Sequence, residues 1–244
     1  MTSRSNATVL ALAVLFGACT PKDEDAVRTD ETTASLSPAP DKSMAPGRPV
    51  APPAQEIDLA VLGHDRGSAA APVRVVEFSD YGCGYCRKFH QETWPVLAAD
   101  FVDAGKVEWK FLPFVSGMFK NSSYATLAAE CVLEQDDALF EAMHDQIWNL
   151  QGEWKNSDDP APVLRGWAKG VGADMASFDS CLAQDRRGNR VRAGTALARQ
   201  LGVRGTPTFF VVGYPPIPGA LPTDLFEMVL DSAYAAATAS GAPR

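Results

Sequence analysis

The sequence predicts an α/β fold: a central sheet flanked by helices, with an all-helical block inserted between its strands. Three observations predict it. Residues 73–78 (Val-Arg-Val-Val-Glu-Phe) form a β-branched, nearly continuous apolar run, which suits a buried central strand. Residues 121–199 carry helical spacing and no convincing strand. Strand chemistry returns at residues 208–212 (Thr-Phe-Phe-Val-Val), ahead of a last helical stretch. A strand–helix–strand unit, a block of helices, then strand and helix make one sheet layered with helices.

The elements follow in order. After the first strand, residues 79–82 turn the chain, and from about Cys83 Phe89, Trp94, Leu97 and Phe101 fall near one helical face. Pro95 removes that helix's hydrogen bond to the Gln91 carbonyl, so a kink is expected. Gly105 ends the segment, and residues 107–114 read as a second strand. Helices are expected around residues 124–131, 139–147, 163–167, 175–183 and 191–201. The turn-rich residues 213–222 lead into a terminal helix from Thr223 to about Ala237.

The 244 residues, 46% hydrophobic, hold apolar material for one ordinary core. A net charge of −8 and the absence of a basic stripe exclude nucleic acid as a partner. No apolar run approaches the roughly 20 residues of a spanning helix. Arg4 followed by the apolar residues 7–18 reads as a signal sequence, residues 1–18. It ends Leu15-Phe16-Gly17-Ala18-Cys19, which resembles a bacterial lipoprotein signal and implies lipidation of Cys19; Phe16 departs from that pattern. Ordinary cleavage nearby is the alternative. Residues 19–56 hold seven prolines and no aromatic residue, as a lipid-anchored, disordered spacer should. The folded domain is expected over residues 57–240, with the helical insertion at about 118–190.

Cys83-Gly84-Tyr85-Cys86 opens a helix that follows a buried strand. A helix N-terminus favours thiolate at the first cysteine, and the second, one turn on, can resolve a mixed disulfide. Zinc needs about four ligands, and no second pair completes a set. A c-type haem needs His where Arg87 stands. An inert structural disulfide stays open as an alternative. Glu77 lies on the same strand as Val73 and Val75; buried there, its carboxyl can exchange a proton with Cys86. The alternative is a carboxylate reaching solvent. His64, His90 and His144 are scattered and read as surface or helix-packing residues, and Trp148, Trp154 and Trp167 as core or cover. Arg186, Arg187, Arg190 and Arg192 read as a solvated helix face.

Residues 76–86 (Val-Glu-Phe-Ser-Asp-Tyr-Gly-Cys-Gly-Tyr-Cys) resemble the active-site segment of the DsbA-like thiol–disulfide oxidoreductases, continuing through Phe89 and His90 to Pro95. Residues 201–210 (Leu-Gly-Val-Arg-Gly-Thr-Pro-Thr-Phe-Phe) are similar to that family's cis-proline loop. The resemblance covers about residues 57–237 and implies a thioredoxin-like fold. It also implies that Cys83 is the exposed nucleophile and Cys86 its buried partner. Pro207 is then cis against the pair, and the Thr206 backbone pairs with an extended client segment. Glu77, six residues before Cys83, matches a buried acid of the family.

No cofactor and no metal is implied beyond the sulfur pair. The implied partners are extracytoplasmic client proteins with thiols or disulfides, a membrane or soluble redox partner that recycles the pair, and a membrane through the lipid anchor. The family includes oxidases, isomerases and reductases. Gly84-Tyr85 resembles the isomerase dipeptide, while the lack of a separate dimerisation domain favours an oxidase. An interaction module without turnover and a Cu(I) carrier are rival readings. Cys131 and Cys181 remain, each among apolar residues. In an oxidising compartment they are expected to form a structural disulfide, as in some DsbA-like proteins; two separate buried thiols are the alternative.

Overall fold

The computed structural model describes residues 58–239. The signal sequence, Cys19 and the proline-rich spacer lie outside the described residues. Five strands form one mixed sheet in the order β1-β3-β2-β4-β5: β1 (His64–Arg66), β2 (Val73–Ser79), β3 (Val107–Pro113), β4 (Thr208–Val211) and β5 (Ile217–Pro218). β2 and β3 run parallel, Val75 opposite Trp109 and Glu77 opposite Phe111. Every other pairing is antiparallel. β1 and β5, with three and two residues, were too short to leave a periodic signal in the sequence.

β2 is the central strand, but not every residue is buried. Arg74 is half-exposed and pairs with the buried Glu108 at 2.5 Å. The helix after β2 is broken into α1 (Gly84–Lys88), a π-helical turn (Phe89–Thr93), α2 (Trp94–Leu97) and a second π-helical turn (Ala98–Val102). Pro95 cannot complete the regular ladder, and the wide turn just before it absorbs the defect. Gly105, at φ 72°, then turns the chain into β3.

Helices cover both faces of the sheet. Val73, Val75, Trp109 and Phe209 pack with Phe89 and with Phe226 of α9 (Thr223–Ala239) on one. On the other, Val76, Phe78 and Leu112 pack with Ala198 of α8 (Gly188–Gln200). Between β3 and α8 lie α3 (Ser122–Leu133), α4 (Asp137–Asn149), α5 (Gln151–Trp154), α6 (Ala161–Gly170) and α7 (Met175–Ala183). Their shared core includes Phe140, Met143, Trp148, Trp154 and Leu164, and it is continuous with Tyr81, Cys83 and Cys86. Among the described residues, no helix is long and apolar enough to cross a membrane.

Candidate active site

The site begins at the turn that ends β2. Buried Asp80 accepts from Gly82 N–H at 2.9 Å and from Ser116 N–H and hydroxyl at 3.2 Å each; the Ser122 hydroxyl also donates to it. Its carbonyl accepts from Cys83 N–H at 2.8 Å. A Cβ at position 82 would run into Phe119 and Ser122, so the turn needs glycine there. From α5, Gln151 Nε2 donates to the carbonyls of Tyr81 at 2.6 Å and Cys83 at 3.1 Å. The insertion therefore clamps the backbone on which the thiols stand.

Cys83 is the N-cap residue of α1, and Cys86 lies inside the helix. Both are free thiols. The expected exposed nucleophile is a correction: Cys83 retains 4% exposure against none for Cys86. The cause is the loop before β4, which lies over it and brings the Thr206 carbonyl to 3.2 Å from Sγ. Hydrogen bonding lowers the Cys83 thiol to about 6; the Cys86 thiol gives most, then the Thr206 side chain and the N–H groups of Cys86 and Tyr85, with burial opposing. Burial pushes Cys86 well up, helped by the neighbouring Cys83. One sulfur is built to ionise and the other to hold its proton.

Glu77 is fully buried. Its carboxylate accepts from the Ser79 hydroxyl, from Trp109 Nε1 at 3.0 Å and from His90 Nε2 at 2.8 Å. The Ser79 side chain is also one of the groups that act on the Cys86 thiol, the least of those that lower it, so Ser79 stands between Glu77 and the thiol. The surface half of the histidine reading is a second correction, while the helix-packing half holds for His90 and His144. All three are buried, and His90 and His144 approach each other to 5.0 Å between ring centroids. They come from different elements, so their distant sequence positions gave no sign of the meeting. Trp148 Nε1, which can only donate, reaches His144 Nε2 at 3.0 Å, while Nδ1 lies 2.7 Å from the Tyr81 hydroxyl. Both nitrogens of His144 are thus engaged, and burial holds its pKa well below the ordinary value.

The Thr206–Pro207 peptide bond is cis. Pro207 O accepts from Gly219 N–H at 2.8 Å, and Gly205 O from the Thr208 hydroxyl at 2.8 Å. A cleft of about 550 Å³ opens beside this loop, lined by Val203, Gly205, Thr206, Pro207, Phe210 and Pro216 among others. A larger one, about 670 Å³ between α3 and α8, is lined by neither cysteine of the pair, nor Glu77, nor the cis-proline loop.

Cys131 of α3 and Cys181 of α7 are bonded, their Cα atoms 5.8 Å apart. The arginine run is only partly a solvated face: Arg187 and Arg190 reach the buried Glu130 at 3.1 and 3.0 Å. A buried carboxylate without partners would be costly, and these two arginines supply its donors. Among the described residues, no group of three or more His, Cys, Asp or Glu side chains is placed to hold a metal ion.

A central sheet, a Cys-x-x-Cys pair at a helix start and a cis-proline loop against it define a thiol–disulfide oxidoreductase of thioredoxin type. The thioredoxin family model matches residues 61–229. Probable disulfide bond formation protein D of Bacillus anthracis is 30% identical over 153 residues, covering 60% of this chain and 68% of that protein. The Na+/H+ antiporter NhaA 1 of Salinispora arenicola is 35% identical over 151 residues, 62% of this chain but 22% of the antiporter. The oxidised crystal structure of BdbD from Bacillus subtilis superposes with a TM-score of 0.63 at 26% identity, covering 70% of this chain and 91% of that one. The chain belongs to the thioredoxin family, among its DsbA-like members.

Proposed function

We propose that this protein exchanges disulfides with client proteins outside the cytoplasm, working as an oxidase more than as a reductase. The observation that carries the reading is the asymmetry of the two sulfurs: a Cys83 thiol at about 6 beside a Cys86 thiol pushed well up. A client thiolate attacks Cys83 Sγ of the enzyme disulfide, the Cys83–Cys86 bond breaks, and Cys86 leaves and takes up a proton. A second client thiolate then attacks the client sulfur of the mixed disulfide. Cys83 leaves as thiolate, a good leaving group because its pKa is low. The client has lost two electrons and gained a disulfide; the enzyme pair has gained them. Glu77 supplies and removes the Cys86 proton through Ser79. Thr206 and Pro207 hold an extended client segment in the cleft beside Cys83.

A redox partner, membrane-bound or soluble, takes the electrons back. The signal sequence and a lipidated Cys19 would hold the domain at a membrane on the spacer of residues 19–56. The name of the Bacillus anthracis relative, a probable disulfide bond formation protein, supports the direction toward bond formation. The test is the reduction potential of the pair together with insulin reduction. An oxidase gives a potential near −120 mV and little insulin reduction; a value near −270 mV would turn the assignment to reductase. For the anchor, fatty-acid labelling should mark the parent and not Cys19→Ala.

A further inference from the structure

Each time the disulfide closes, Cys86 must lose a proton, and each time it opens it must gain one. Cys86 is fully buried, so that proton needs a route. A line of groups leads away from it. Ser79 is among the groups that act on the Cys86 thiol, its hydroxyl donates to Glu77, and Glu77 meets His90 Nε2 at 2.8 Å. The His90 side chain is 4% exposed, and its Nδ1 is itself buried with no hydrogen-bond partner among the described residues. The ring lies flat on Trp148, centroids 4.5 Å apart at 10°, which fixes its direction.

The imidazole sits between two spaces. It lines a small inner cavity that contains Glu77. It also lines a surface cleft of about 490 Å³ with Arg66, Trp94, Asp145 and Asn149. That cleft shares no lining residue with the cleft at the cis-proline loop. His144 cannot take this part, because both its nitrogens are engaged. An imidazole that accepts a proton at one nitrogen can release one from the other.

We infer that His90 is a positioning residue for disulfide exchange, acting through Glu77 to pass the Cys86 proton to and from the cleft beside Asp145. The inference rests on the proposed proton role of Glu77. When the disulfide opens, a water entering from the cleft delivers a proton to the buried Nδ1 and the Nε2 proton passes to Glu77. Ser79 then relays one to the Cys86 thiolate. Closing runs the same transfers backwards, so one proton enters per opening and one leaves per closing. The charged and titratable groups lining these two spaces with His90 are Glu77 of β2, His64 and Arg66 of β1, Glu141, His144 and Asp145 of α4, and Asp103 just after the second π-helical turn. Clients and protons thus use different faces of the domain.

The test follows disulfide closure in the reduced full chain, with oxidised glutathione as oxidant. His90→Gln keeps an amide donor for Glu77 but cannot relay. It should close on the order of tenfold more slowly, with a flattened pH profile and an unchanged Cys83 thiolate titration. His90→Ala should show the same slowing and recover when imidazole is added. A parent-like rate and pH profile in His90→Gln overturns the inference. So does slowing that imidazole cannot relieve or that follows a shifted Cys83 titration. Glu77→Gln, measured beside them, separates the readings. If it slows closure and His90→Gln does not, only the relay falls; if neither slows closure, the proton role of Glu77 falls too.

Discussion

Cys83 and Cys86 stand three positions apart at a helix start, as free thiols with opposite acid strengths. Cys131 and Cys181 lie 50 positions apart on two packed helices, bonded and wholly buried. All four belong to one continuous apolar core, so hydrophobic surroundings do not separate reactive sulfur from structural sulfur. Donors do. Cys83 receives hydrogen bonds from a thiol, a side chain and two backbone N–H groups, and it keeps a sliver of access. The other pair has helix interiors around it and closes a long loop. A cysteine becomes reactive where neighbouring donors, here its partner thiol first, stabilise its anion, and as a staple it contributes more the longer the loop it closes.

The comparison breaks most visibly at the nucleophile. Cys83→Ser should lose exchange activity to background while Cys86→Ser accumulates mixed disulfides with clients. Equal trapping by the two variants, read on non-reducing gels, would reverse the assigned roles. Next in size is the staple. Removing it as Cys131→Ala/Cys181→Ala should cost about 4 kcal/mol on the loop-entropy model, measured by denaturant unfolding, with the Cys83 titration left near 6. A shift of that titration would mean that the insertion's bond tunes the reactive pair.

The joint between the two regions comes third. Gln151→Ala strips one donor from two buried carbonyls and should cost about 1–3 kcal/mol. It should also broaden the thiolate titration by loosening the turn. Smallest is a pH effect confined to the reduced protein. The Cys83 pKa is lower in the folded state than in the unfolded one, so its contribution is full above about 8.5 and fades as pH falls toward 6. Cys86, shifted upward, acts only above that window. Reduced protein should therefore lose stability between pH 8.5 and 6 relative to oxidised protein, and parallel curves would refute the Cys83 shift.

Long apolar runs and helical spacing made β2, β3, β4 and the insertion helices readable, because each carries enough periodic residues to signal its type. β1 and β5 were not readable, since two or three residues hold no period. The π-helical turns followed from Pro95 only as a kink, because sequence locates the missing hydrogen bond and not how neighbours absorb it. Glu77 was legible through its strand position and its resemblance to the family's acid. His90 was not: its importance lies in meeting Glu77 from one element and Trp148 from another. Nor did local sequence foretell how far the Thr206 loop would cover Cys83, since that depends on contacts 123 residues apart.

The sheet's two short edges have a consequence of their own. An exposed strand edge is a template on which other chains can grow, and natural proteins blunt it by keeping it brief. Here the borders are β1 and β5, with three and two residues, and β5 contains Pro218, which has no N–H to offer. A protein proposed to hold an extended client segment beside its sulfur pair meets extended backbone at every turnover. Such borders leave little for that backbone to zip onto, and they favour brief encounters at the cis-proline loop over co-aggregation with the chains the enzyme serves.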